Sequence, residues 1–369
     1  MDTVTRYALI AAVSLAIFPS NARADQTSSV PLHAEPPPQA TASSPVPDPD
    51  PAFARWLDID AASISIRYRF VRGSSNTRFN QAQTQDVLRG KVKLDPNARV
   101  AVGFTVQSGA GFPSSWNNTG LGTGDRRSSI FLKHLFADVT PLHGVEVQYG
   151  GLGLIRGENT EMTAYDNDGY IVGGRASVRR PKDVFFDEIS VTVAYLGDLT
   201  TSNVFTRFEH LDRHNFTQVL VVKRLNPHVQ ASTDYVDDDL EGGVWRAAGR
   251  FTIGGRFIDS FRAEYGVRVT EGPHDTAAGV TAEKTVGHVL FFAGVSHVGR
   301  LMSVLNGDRY AQGTHVFTGG SWRLPADLVA GWFVSGELSG PDPSLNRSRL
   351  DLVLGWNALQ TMRRARLVR

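Results

Sequence analysis

The chain has 369 residues, with 36 Gly, 18 Pro, no Cys and a formal charge of +1. The lack of cysteine excludes disulfides, thiol nucleophiles and cysteine-ligated metals, and the near-neutral balance points to no nucleic-acid partner. Beyond the first 25 residues no apolar run reaches the ~18 residues that a membrane-spanning helix needs, which excludes a helical membrane bundle.

At the N-terminus, Arg6 precedes an apolar stretch from Tyr7 to Phe18, and Ala22-Arg23-Ala24 follows as a small-x-small cleavage triplet. Residues 1–24 therefore read as a signal peptide removed on export. Residues 25–54 carry Pro31, Pro36, Pro37, Pro38, Pro45, Pro47, Pro49 and Pro51 among Ser, Thr, Ala and Asp. Such a segment cannot bury enough apolar surface to order itself, so it reads as a disordered periplasmic leader.

From Ile59 onward the pattern is alternation at period two. Ile64, Ile66, Tyr68 and Phe70 share one face of the first segment, and Ser63, Ser65, Arg67 and Arg69 share the other. Val100, Val102, Phe104 and Val106 repeat the pattern, as do Val145, Val147 and Tyr149, then Ile189, Val191, Val193 and Tyr195. Phe261, Ala263, Tyr265 and Val267 follow, and Leu350, Leu352, Leu354 and Trp356 close the series. Successive strand side chains point to opposite faces, so each segment has one apolar and one polar side.

Connector lengths distinguish a barrel from a two-sheet sandwich. Short links fall at Asp95–Ala98, Thr140–Gly144, Leu225–Pro227, Gly254–Asp259 and Arg323–Asp327. Between them lie longer polar stretches at Arg72–Thr84, Gln107–Ser129, Gly153–Asp168, Gly197–His214, Glu271–Lys284 and Ser339–Arg347. This rhythm predicts an all-β, antiparallel, up-and-down transmembrane β-barrel over residues 55–357, with short periplasmic turns and long extracellular loops. Fifteen segments read as strands, and an even total takes Leu301–Leu305 as the missing member, giving about 16 strands within a range of about 14–18. Residues 358–369 form a basic C-terminal tail.

Energy sets which face meets lipid. An arginine in lipid near the bilayer midplane costs about 2–4 kcal/mol, so the charged rows must face an enclosed polar lumen. Parity then lines the pore with Arg67, Arg69, Arg89, Lys91, Arg99, Arg175, Arg246, Arg250, Arg262 and Arg268, against fewer inward carboxylates. Uncompensated positive charge beside a low-dielectric wall predicts anion preference; pairing of these charges across neighbouring strands is the alternative. Glu158, Glu161, Asp166 and Asp168 sit in one long connector and form a candidate acidic constriction loop if it folds inward. Tyr68, Tyr149, Tyr170, Trp245, Tyr265, Trp322 and Trp356 are among the aromatics on outward faces, where Tyr and Trp favour the membrane interfaces.

No catalytic pattern stands out. The ten histidines show no metal spacing, Tyr165-Asp166-Asn167-Asp168-Gly169 lacks the later glutamate of a calcium loop, and no serine sits in a nucleophile motif. The chain therefore reads as a non-enzyme without metal or cofactor.

With this architecture, and with Val145-Glu146-Val147-Gln148-Tyr149-Gly150-Gly151-Leu152-Gly153 leading to Tyr165–Tyr170, the stretch from Trp56 to Asn357 resembles the porin-like outer-membrane proteins of Gram-negative bacteria. The resemblance implies passive diffusion of small polar or anionic solutes, outer-membrane lipid and lipopolysaccharide as surroundings, and a homotrimer. The alternatives are a loop-closed barrel acting as receptor, adhesin or structural envelope protein, and a barrel hydrolase. One departure is the ending Met362–Arg369, where such barrels usually close on an aromatic residue; Trp356 is the internal substitute.

Overall fold

The computed structural model describes residues 56–365 except 74–77, 113, 167, 180–184, 271–272, 303–308, 311 and 340–346. The signal peptide and leader assigned to residues 1–54 lie outside the described residues, as do 303–305 of the expected strand Leu301–Leu305.

Seventeen strands form one sheet. They begin with β1 (Leu57–Gly73), β2 (Arg78–Lys93), β3 (Val100–Ser108), β4 (Asn117–Gly122), β5 (Ile130–Leu142) and β6 (Val145–Gly153). Next come β7 (Tyr170–Val178), β8 (Glu188–Tyr195), β9 (Phe216–Asn226), β10 (Val229–Asp238), β11 (Val244–Thr252) and β12 (Ser260–Arg268). The last are β13 (Thr276–Val286), β14 (Val289–Val298), β15 (Gly313–Arg323), β16 (Leu328–Ser339) and β17 (Arg347–Asn357). Sixteen of them pair antiparallel in chain order, and β17 pairs with β1 from Ser63↔Asn357 to Gly73↔Arg347, so the barrel closes. Closure leaves no sheet edge, the condition for placing strands in hydrocarbon. The seventeenth, β4, lies within the connector from β3 to β5 and pairs with β2 at Gln81, Gln83 and Thr84, beyond the end of β3.

The faces are inverted relative to a soluble barrel. Ile64 is 48% exposed, Ile66 55% and Tyr68 44%, whereas the neighbouring Arg67 is 7% exposed and Arg69 6%. Tyr149, Trp245, Tyr265, Trp322, Leu352 and Leu354 share the exposed apolar exterior. Polar Gln81, Gln83, Gln85, Thr192, Gln218 and Asp234 are buried on the opposite face.

Three expected segment boundaries need correction. The predicted loop Arg72–Thr84 is mostly strand, because β1 and β2 stay paired to Arg72↔Arg78. Its glutamines looked loop-like only because they face a polar interior. The predicted loop Glu271–Lys284 holds most of β13, whose Ala277, Ala278, Gly279, Thr281 and Ala282 make both faces small and blur the alternation. The strand expected at Leu301–Leu305 begins instead in a 3-10 turn, Arg300–Met302, where Met302 is buried in one apolar cluster with Met162, Val298 and Phe317. The even strand number therefore holds with β13 as the missing member.

The basic tail begins as a short helix, α1 (Ala358–Arg364), capped by the Asn357 side chain, which accepts from the Gln360 N–H at 3.2 Å. Leu359 buries against Ile59 and Ala62. Those two residues pair with outward-facing Gly90 and Leu88, so α1 lies on the barrel exterior beside the short-turn end. Tyr170, expected outside, is fully buried, with its hydroxyl donating to the Leu199 carbonyl oxygen at 2.9 Å beneath the connector from β8 to β9.

Candidate pore-lining site

The seam where β17 meets β1 carries the densest charge. Register places Asp351 opposite Arg69, and Arg349 stands two residues away on the same inward row. Arg69 Nε donates to Asp351 Oδ1 at 3.0 Å and Arg349 Nε to Oδ2 at 2.9 Å. Arg67 NH1 stands 3.8 Å from the same carboxylate, and its Nε and NH2 donate to Gln83 Oε1 at 2.9 and 2.6 Å. Three guanidinium groups thus share one carboxylate. The Arg67 guanidinium also lies 4.0 Å over the ring of Trp116, which comes from the second long connector.

The other predicted basic residues are spread around the wall. Arg89 is on the inward row of β2, opposite Ala61 and Thr105. Lys91 pairs with Asp138 and lies 3.5 Å from Glu146. Arg175 donates to Thr192 Oγ1 at 3.0 Å and to the Gly153 carbonyl at 2.6 Å. Arg246 is 3.2 Å from Asp234 with both side chains almost fully buried, and Arg250 is 3.4 Å from Glu283. Arg268 donates to the Glu241 carbonyl at 2.7 Å near the long-loop end. Arg99 is exposed in the turn before β3, because the wall strand starts one residue later at Val100.

The connector between β6 and β7, residues 154–169, turns into the barrel. Its backbone N–H at Glu158 donates to Ser232 Oγ at 2.7 Å, and Thr160 and Thr163 hydroxyls each donate to Glu264 at 2.6 Å. Ser232 and Glu264 are inward residues of β10 and β12, so the connector crosses several strands on the lumen side. Gly157 permits this approach. Its φ is +54°, and a Cβ there would meet the Ser232 Cβ at 2.5 Å. Tyr165 donates its hydroxyl to Asp238; burial, then the nearby Glu241 charge, hold that phenol well above its ordinary range, so it stays a donor.

Within this loop the four predicted carboxylates have separate places. Glu158 is 3.7 Å from Arg262, and Glu161 is 3.8 Å from Arg156. Asp166 Oδ1 accepts from the Asp168 N–H at 2.8 Å, shaping the turn, and Asp168 accepts from Gln107 at 2.8 Å. Met162 of this loop joins an interior apolar patch with Met302, Tyr310, Phe317 and Phe333. Arg309 sits 5.2 Å over the Phe333 ring. Arg309, Tyr310 and Trp116 were not singled out from the sequence, since each lies in a connector whose path no period-two pattern records.

This wall and inward loop can be compared with solved proteins. Salmonella typhi OmpF in complex with daunomycin superposes with a TM-score of 0.52 at 10% identity, covering 81% of this chain and 97% of that one. The fold is the porin barrel. Two multiply substituted Rh. blastica porins align at 10% identity with TM-scores of 0.49 and 0.48, each over 81% of this chain and 99% of the other. No family model and no curated protein matches the sequence. At this identity the porin likeness concerns the backbone path, and the charges of the lumen have to be argued from this chain's own residues.

Proposed function

We propose that the chain is an outer-membrane porin-type channel, exported by a cleaved signal peptide, that passes small hydrophilic solutes by diffusion and prefers anions. The observation that carries the anion preference is the sharing of Asp351 by Arg67, Arg69 and Arg349, which leaves net positive charge on one side of the interior. In a narrow space with low-dielectric walls that excess is screened less than at an open surface. The facing loop supplies Glu158 and Glu161, each near an arginine of its own. Assembly as a homotrimer, with lipid and lipopolysaccharide around the exposed apolar belt, belongs to the same reading.

The test is the reversal potential of the purified protein in planar bilayers under a salt gradient. Anion preference is expected, and replacing Arg67→Ala together with Arg69→Ala should lower it. A cation-selective native channel would refute the preference while leaving the channel standing. A second reading, a loop-closed barrel acting as receptor or structural protein, is favoured by the apolar patch around Met162 and Phe333, which occupies interior space. A barrel closed in that way conducts no ions.

A further inference from the structure

At the long-loop end of the lumen, a pocket of about 430 Å³ is lined by Gln81, Gln83, Trp116, Asn118, Arg126 and Arg127. The wall side of this pocket is held in place by its own hydrogen bonds. Gln83 Oε1 accepts from Arg67, its Nε2 donates to Gln81 Oε1 at 2.9 Å, and Gln81 Nε2 donates to the Thr123 carbonyl at 2.8 Å. A side-chain amide has two donors and two lone pairs, so each glutamine keeps one N–H to offer in a fixed direction. Asn118 spends both N–H groups on the Thr123 and Asp125 carbonyls, and its Oδ1 accepts from the Gly120 N–H at 3.2 Å, which leaves a free lone pair. The pocket therefore presents donors and an acceptor whose orientation is already set.

The solvent side differs. Arg126 and Arg127 are exposed, and among the described residues neither guanidinium has an ion pair or side-chain hydrogen bond. One carboxylate, Asp125, also borders the pocket, so the local balance is positive. A planar guanidinium matches carboxylate and phosphate oxygens two at a time. The volume suits a small molecule, being near the lower end of the ~300–1,000 Å³ of ordinary ligand pockets.

We propose that this pocket captures a hydroxylated organic anion of monosaccharide size, a sugar acid or sugar phosphate, with its anionic group on Arg126 and Arg127 and its hydroxyls on Gln81, Gln83 and Asn118. As the mouth of a transport path it rests on the channel reading; as a binding site it is tested without conduction. Titration calorimetry on the detergent-purified full-length protein would use glucuronate, glucose 6-phosphate, glucose and inorganic phosphate as probes. Both sugar anions should bind, with glucose at least about tenfold weaker, and Arg126→Gln with Arg127→Gln should weaken both anions about tenfold or more. Gln81→Ala should weaken the sugar anions several-fold and leave inorganic phosphate unchanged. The proposal fails if neither sugar anion gives heat, if the arginine pair can be replaced without effect, or if phosphate binds as tightly as the sugar anions. Binding without conductance would sink the channel reading and keep this site.

Discussion

Removing the charge of Asp351 would leave Arg67, Arg69 and Arg349 without their shared counter-ion on adjacent inward rows. Asp351 is 3% exposed, so water compensates only part of the loss. Asp351→Asn keeps the shape and two of the acceptor lone pairs, and is expected to cost about 1–3 kcal/mol of barrel stability, the usual range for a charged hydrogen-bond partner. The same change should raise anion preference, opposite in sign to the loss expected from replacing Arg67 and Arg69. Urea unfolding and reversal potentials on one preparation separate the two effects. An unchanged reversal potential would mean that this cluster faces no ion path.

Among the elements, α1 is one that alternation did not reveal. The residues after Trp356 read as a basic tail, and a helix of seven residues has too few turns to show a period by itself. Tertiary contact supplies what propensity lacks: Leu359 fills the space over Ile59 and Ala62, and Arg364 pairs with Asp327 of the turn before β16. Leu359→Ala removes the main apolar anchor at a cost near the lower end of the ~2–5 kcal/mol for such truncations, because the site is at the rim. The barrel should persist while α1 detaches, so trypsin should cut after Arg363 or Arg364 in the folded protein much faster than in the native chain. Equal cleavage rates would show that α1 is held by something else. The strands themselves were legible wherever large apolar residues alternate with polar ones, as in Ile64–Phe70 and Leu350–Trp356. β13 escaped because Ala, Gly and Thr fit either face, and the path of residues 154–169 escaped because its contacts with Ser232 and Glu264 span distances that local pattern does not encode. Parity sorts the basic residues of a strand onto one row; the counter-ions they meet depended on register, which parity leaves open.

For the whole molecule, the decisive property is which side of the wall touches water. Ile66 and Ser65 are neighbours in β1, pair with Leu354 and Gly355 of β17, and point to opposite faces. In a soluble barrel, arginine at Ser65 would point into the exposed solvent and arginine at Ile66 into a dry core. Here Ile66 lies on the exposed apolar exterior and Ser65 on the polar inner row that holds Arg67 and Arg69, so the proposed membrane setting puts lipid at Ile66. Ile66→Arg should therefore destabilise the protein in lipid bilayers by about 2–4 kcal/mol, the cost of a cation near the midplane. Ser65→Arg should cost far less, its charge being repelled by Arg67 but met by polar surroundings. In water-rich detergent micelles the Ile66→Arg penalty should shrink, because the exterior is then less strictly apolar. Refolding titrations of both variants in bilayers and in micelles measure the difference, and a larger penalty at Ser65 than at Ile66 would reverse the assignment of the two faces.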